Sequence, residues 1–223
     1  MRVVAVIPAY DEEFVVGEVV RAARALVDEV LVVDDLSTDG TAGAALAAGA
    51  RLLRRATNGG QGAALRDGLA EAHRSGFDVA VTMDADGQHD PADIPALVEA
   101  VRTGADVAMG SRMLRTEGMP AARILANTMG NLVTFALYGT FVTDSQSGYR
   151  AYSRRAMERI RVRAERYEVC SWLVGEYRRR GLRIREVPVH TIYTGYSLSK
   201  GQSFATGLGT LGRLLLTRLC EWW

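Results

Sequence analysis

Short runs rich in Val, Leu and Ala recur roughly every 25 residues through the first half of the chain, and no other feature limits the fold as much. Residues 2–8, 29–34, 50–54, 78–83 and 106–110 are brief, apolar and mostly bounded by Gly or Asp, the marks of β-strands. Between them, residues 14–26, 39–48, 61–75 and 92–102 carry helical spacing. Strand and helix in alternation predict an α/β fold with a mostly parallel central sheet and helices on both faces. Strands that are apolar on both sides agree, because such a sheet is covered on both sides. After residue 112 the rhythm changes. A helix over about 120–138 is expected, then a polar stretch at 144–150, helices near 154–160 and 168–180, a strand at 183–189, a Tyr/Gly/Ser loop, and an apolar helix from 203 to the end. No linker or low-complexity segment interrupts the 223 residues, so a single domain is expected.

In open sheets of this kind, ligands collect beyond the carboxyl ends of the strands. The polar clusters fall there: Pro8-Ala9-Tyr10-Asp11-Glu12, Asp34-Asp35, Asp84-Ala85-Asp86 and Gly110-Ser111-Arg112. The net charge of +1 hides an asymmetry, since residues 1–110 hold 9 basic and 18 acidic side chains, and residues 111–223 hold 18 and 8. The acidic half suits metal and ribose chemistry, and the basic half suits phosphate or an anionic membrane surface. The two halves also attract each other across a core. Cys170 and Cys220 are too few for a disulfide framework or a zinc site. The first residues lack the layout of a signal peptide, and no apolar run reaches 18 residues. A cytoplasmic location follows as the expectation, with attachment to a membrane surface open and no nucleic-acid partner.

Asp84-Ala85-Asp86-Gly87-Gln88-His89-Asp90 carries the sharpest chemistry. Two carboxylates one residue apart at a strand end can face one cleft, and Gln88 adds an amide oxygen. These are hard ligands of the kind Mg²⁺ or Mn²⁺ takes alongside substrate phosphates. Read alone, the same stretch also suits an acidic turn. Asp35 ends a buried strand, where it can accept a hydrogen bond from the N–H of a nucleotide base. Asn58-Gly59-Gly60-Gln61-Gly62 is a turn into a helix whose amides can face a ligand, or simply a tight connection.

Ile7-Pro8-Ala9-Tyr10-Asp11-Glu12, Val33-Asp34-Asp35-Leu36-Ser37-Thr38-Asp39-Gly40-Thr41, Asp84 to Pro91, and Ser147-Gly148-Tyr149-Arg150 together resemble the inverting family-two glycosyltransferases of GT-A fold. Within that family the branch most similar is the dolichol- and polyprenyl-phosphate sugar transferases. The resemblance spans residues 3 to about 202. It implies a GT-A domain over 1–202, with a nucleotide and metal half at 1–110 and an acceptor half at 111–202, and an amphipathic C-terminal helix at 203–223 of the same domain. It implies that Pro8, Tyr10 and Glu12 line the nucleotide pocket, that Asp35 holds the base or ribose, and that Asp84 contacts the donor. Asp86 and Gln88, with Asp84 beside them, would hold the metal ion, and Arg112 and Arg123 would receive the lipid phosphate. The chain departs from the family pattern in Asp11 for the usual Asn, in Gln61 for a frequent Lys, and in a late loop with no Arg near Ser199-Lys200.

The implied reaction moves a sugar from a UDP- or GDP-linked donor to a polyprenyl or dolichyl phosphate at the cytosolic membrane face. A lipid monophosphate is already largely ionised at pH 7 and needs cations rather than a base. The alternative acceptor is a glycan or soluble hydroxyl, which needs a base, and Asp144 is the candidate. Lys200, the one lysine in the chain, stands in a Gly- and Ser-flanked loop suited to closing over the diphosphate. Arg213, Arg218 and the terminal Trp222-Trp223 give the last helix interfacial character, although the domain, a second subunit or a membrane-protein partner would cover it equally well.

Overall fold

The computed structural model describes residues 1–163 and 169–192. Seven strands, β1 (Val3–Ala9), β2 (Glu29–Asp34), β3 (Arg51–Arg54), β4 (Val79–Thr82), β5 (Val107–Ser111), β6 (Arg150–Ser153) and β7 (Ile184–Pro188), form one sheet in the order β3-β2-β1-β4-β6-β5-β7. The helices are α1 (Val16–Arg24), α2 (Thr41–Ala47), α3 (Gln61–Arg74), α4 (Ile94–Arg102), α5 (Ala121–Tyr138), α6 (Arg154–Arg159) and α7 (Val169–Arg179).

The expected mostly parallel sheet is corrected here, because the sheet is mixed. β1 to β4 pair in parallel, as do β5 and β7, but β6 runs antiparallel to both β4 and β5. The β4–α4–β5 crossover passes over one strand position, and β6 enters that gap from the opposite direction. Its sequence, Arg-Ala-Tyr-Ser, carries no apolar run that would announce a central strand. The expected helix at 203–223 and the loop holding Lys200 lie outside the described residues. Among the described residues, no helix is long and apolar enough to cross a membrane.

Strand periodicity of two divides the apolar side chains between the two faces. Val4, Val6, Leu31 and Val33 join α3, α6 and α7 in one core, while Ala5, Ile7, Val30 and Val32 join α1, α2 and α4 in the other. Gly68 of α3 sits directly on this sheet, where an added Cβ would overlap Val6 and Val33. Gly68→Ala should therefore lower stability by about 1–3 kcal/mol through overpacking. Gly43→Ala in α2, where an added Cβ meets nothing within 4 Å, should instead raise it by about 0.4–1 kcal/mol. Urea denaturation of both variants checks the pair, and equal midpoints would contradict the packing described.

α5 lies at the edge of the second half with its two faces divided by chemistry. Asn131 and Thr134 are buried polar residues on its inner side, whereas Leu125 (63% exposed), Met129 (62%), Leu132 (63%) and Phe135 (46%) face outward. Phe141, just past the helix, packs edge-on against Phe135 and is exposed as well.

Candidate active site

The loops after β1 and β2 interlock at the carboxyl rim of the sheet. The Asp11 amide donates to Ser37 Oγ (3.1 Å), the Thr38 amide donates to Asp11 Oδ1 (2.9 Å), and the Glu12 amide donates to Thr41 Oγ1 (2.7 Å). Asp11 (φ 52°) and Leu36 (φ 67°) both take left-handed backbone, which costs a non-glycine residue about 1 kcal/mol or more and is retained where neighbouring contacts enforce it. This arrangement puts Tyr10, 47% exposed, and the half-buried Glu12 at the mouth of the cleft.

Asp35 is buried under the glycine turn. Its carboxylate accepts from the Gly59 amide (3.1 Å) and the Gly60 amide (2.7 Å), and Arg55 donates to it as well. Arg55 is held in turn by Asp67, its Nε donating to Oδ2 at 2.7 Å. The side chain expected to hold the base or ribose thus also shapes the turn that faces the same cleft. Tyr10 stands close enough to feel the charges of Asp11 and Asp35, which push its phenol up.

Asp84 follows β4 at the floor of the cleft, and Gln61 Nε2 donates to its Oδ1 at 3.0 Å. The Asp84 amide donates to His89 Nδ1 (3.1 Å), and the His89 ring stacks on Tyr149 with centroids 4.6 Å apart. Burial drives His89 down to about 4, so it is neutral at pH 7 and serves as an acceptor for the loop. The Asp86 carboxylate accepts from the Gln88 amide (3.0 Å) and from Gln88 Nε2 (2.8 Å). That contact leaves the side-chain amide oxygen of Gln88, Oε1, available to a ligand. The cleft is open at this point, for the Asp84 side chain keeps 35% of its surface accessible. Burial nevertheless pushes the Asp84 carboxyl up, against the pull of Arg112. Asp86 is pushed up by burial and then by the charge of Asp84, and Glu12 adds to both.

Like charges crowded in this way fit a divalent ion, whose binding would relieve the repulsion. Among the described residues, no three His, Cys, Asp or Glu side chains gather as a protein-only metal cage. Two carboxylates, an amide oxygen and substrate phosphates are the set Mg²⁺ uses instead.

Arg112, just past β5, forks onto Asp144. Its backbone amide (3.0 Å) and Nε (2.7 Å) donate to Oδ2, and NH2 donates to Oδ1 at 2.8 Å. The Asp144 side chain is fully buried, so both of its oxygens serve Arg112. Asn131 of α5 clamps the loop on either side, donating to Thr143 O and accepting from the Ser145 amide (2.8 Å). Arg123 lies in the first turn of the same helix. The structure thus brings Glu12, Asp84, Asp86, Gln88 and Arg112 to one cleft, with Pro8 beside Asp84 in the wall of a cavity of about 20 Å³. Arg55, Gln61, His89 and Gly148 hold the site without having been assigned parts in it from the sequence. Position was the available signal for the first three, since each follows a strand at the same rim.

Carboxylates suited to a divalent ion and a donor diphosphate, set at the rim of a mixed sheet with this strand order, place the chain among the glycosyltransferases of GT-A fold. They are metal-dependent and take their sugar from a nucleotide-diphosphate donor. The sequence model of Glycosyl transferase family 2 matches residues 4–161, and the chain belongs to that inverting family. It is 34% identical to the UDP-N-acetylglucosamine–dolichyl-phosphate N-acetylglucosaminyltransferase of Methanococcus voltae, over 96% of this chain and 95% of that protein. It is 37% identical to the undecaprenyl-phosphate mannosyltransferase of Micrococcus luteus, over 85% of this chain and 83% of that protein. Glucosyl-3-phosphoglycerate synthase of Mycobacterium tuberculosis, solved with Mn²⁺, UDP-glucose and phosphoglyceric acid, superposes with a TM-score of 0.75 at 26% identity, covering 97% of this chain and 79% of that one. The same synthase has been solved with Mg²⁺ and UDP. Mn²⁺ or Mg²⁺ is accordingly the cofactor of this chain.

Proposed function

We propose that the chain transfers a sugar from a UDP- or GDP-linked donor to an acceptor that carries a phosphate. The observation behind this reading is Arg112, which stands in the cleft near enough to Asp84 to pull on its carboxyl and is aimed by Asp144. Glu12 and Asp35 would hold the nucleoside, and Asp84 the sugar side of the donor. The bound ion would neutralise charge building on the departing diphosphate. Lys200 would add a cation from its loop, and residues 111–202 would form the acceptor side.

Two acceptors share the phosphate. A soluble phosphorylated acid is supported by the superposition on the synthase that binds phosphoglyceric acid. If a hydroxyl of such an acid attacks, it needs a base, and Asp144 would have to leave Arg112 to act as one. A polyprenyl phosphate at the cytosolic membrane face is supported by the names of the two sequence relatives. The exposed apolar face of α5, on the helix that holds the Asp144 loop, is a surface that lipid would cover. The interfacial character of 203–223 supports the same placement.

The test is incubation of the chain and Mn²⁺ with labelled UDP- and GDP-sugars, and with either polyprenyl phosphate in anionic vesicles or phosphoglyceric acid in solution. Label should pass to one of them, and the Michaelis constant for that acceptor should rise with salt, as for a ligand held by charge. Transfer to a neutral glycan alone would overturn the phosphate reading. Loss of that transfer in Asp144→Asn would then identify the base.

A further inference from the structure

Of the four sequence clusters that mark this site, Ser147-Gly148-Tyr149-Arg150 ends in a residue to which the donor, the ion and the acceptor give no task. Arg150 opens β6 and is 1% exposed. Its Nε donates to Ser147 O (2.8 Å), NH1 to Tyr177 Oη (2.8 Å), and NH2 to Ser145 O (3.1 Å) and Cys170 O (2.9 Å). The guanidinium also lies over the Tyr177 ring, 5.6 Å from its centroid. Among the described residues, no carboxylate forms an ion pair with it. Burying a cation that makes no ion pair is costly, and Asp84, which lines the same small cavity, is a carboxylate that its charge reaches. Packing alone therefore does not account for an arginine at this position.

The segment it grips surrounds Asp84. Gly148 backs onto that carboxylate so closely that an added Cβ would stand 3.0 Å from Oδ1. Thr82 Oγ1, from β4, donates to Gly148 O at 2.8 Å and fixes the same peptide. Tyr149 stacks on His89, whose Nδ1 accepts from the Asp84 amide, and its hydroxyl donates to Asp90 O at 2.8 Å. Arg150 and Asp84 also line the same small cavity. Two consecutive residues thus bracket Asp84, and the third anchors both of them through the Ser145 and Ser147 carbonyls.

We propose that Arg150 is a positioning residue for the transfer, which sets Gly148 and Tyr149 around Asp84 and places a fixed positive charge behind the donor. The proposal rests on the donor assignment above and is independent of which acceptor is used. It is tested in the full chain with Arg150→Met, Arg150→Lys and Thr82→Val, by measuring Tm, UDP and GDP binding with Mn²⁺ by calorimetry, and the steady-state constants for donor and acceptor. Arg150→Met should weaken donor nucleotide binding more than tenfold in protein that is still folded, leaving the acceptor Michaelis constant within twofold. Arg150→Lys, which restores charge but not the grip on two carbonyls, should fall between Arg150→Met and wild type. Thr82→Val is nearly isosteric and loses only the hydroxyl bonded to the Gly148 and Arg150 carbonyls, so it should weaken the donor severalfold even if Arg150→Met does not fold. Lower Tm with unchanged nucleotide affinity in the folded variants would overturn the proposal and leave Arg150 a structural residue. Wild type that binds nucleotide and Mn²⁺ yet glycosylates neither acceptor would count against the acceptor reading alone.

Discussion

Asp86→Asn should reduce turnover by about 10²–10³-fold, the scale of losing a charge stabiliser aimed at a transition state. A chelator should silence wild type until Mn²⁺ or Mg²⁺ is restored. The same substitution should leave the fold intact, because Asp86 is half-buried at a strand mouth and its contacts are confined to Gln88 and the neighbouring charges. In metal-free protein it should even be slightly stabilising near pH 7. Burial and Asp84 raise the Asp86 pKa in the folded state, so the ionised carboxylate opposes folding above that raised pKa. The penalty disappears as pH falls below the unfolded value, and the advantage of Asn disappears with it. Calorimetry with UDP or GDP present gives a readout apart from turnover. Mn²⁺ at about 100 times its Kd stabilises a binding protein by about 2.7 kcal/mol, equivalent to several degrees in Tm for a chain of this size. Wild type should show that rise and Asp86→Asn should not. Full activity in excess chelator would remove Asp86 from the metal site.

Arg112→Ala should damage both stability and transfer, and the double variant separates the two. Asp144 has no exposed side-chain surface and depends on Arg112 for its forked contacts. Removing one member of such a pair leaves a buried charge uncompensated, at a cost of about 3–5 kcal/mol. The partial exposure of Arg112, 22% of its side chain, favours the lower end. Arg112→Ala/Asp144→Ala removes both charges and should recover most of the lost stability, since buried ion pairs replaced together are often near neutral. It should not recover transfer, because the cation that would meet the acceptor phosphate is still missing. Urea midpoints and acceptor Michaelis constants for the single and double variants give the answer. A single variant as stable as wild type would mean that Asp144 finds another partner. A double variant with normal acceptor kinetics would remove Arg112 from the acceptor site.

The legible parts of this chain are those in which neighbouring residues share one environment. Val3 to Ala9 and Glu29 to Asp34 are buried on both faces, so their composition alone marks them as covered strands. The acidic residues after β1, β2 and β4 are legible because a parallel sheet delivers every such loop to one rim. β6 is not legible in that way. Arg150 and Tyr152 are as buried as any valine in the sheet, but their polar ends are satisfied by Tyr177, Cys170 and Ser145, residues distant in sequence or held in an irregular loop. A strand whose burial depends on distant partners carries no local apolar signal. Asp144 is a similar case, since the sequence shows a lone acid in a polar stretch and only the folded chain brings Arg112 onto it.

What the sequence determined by itself was the alternating architecture, the rim at which the polar clusters gather, the acidic stretch at Asp84 to Gln88 and the family. These follow from periodicity and short motifs, which depend on residues within a few positions of one another. The tertiary structure alone decided the reversed strand in the middle of the sheet, the pairing of Asp144 with Arg112, the burial of Asp35 under Gly59 and Gly60, and the enclosure of Asp84 by Gly148 and Tyr149. Each joins residues some 24 to 74 positions apart in sequence. Such contacts form only once the chain has met the entropy of closing the intervening loops, and their energy comes from hydrogen bonds and charge pairs strengthened in the dry interior, which offset the cost of taking polar groups out of water.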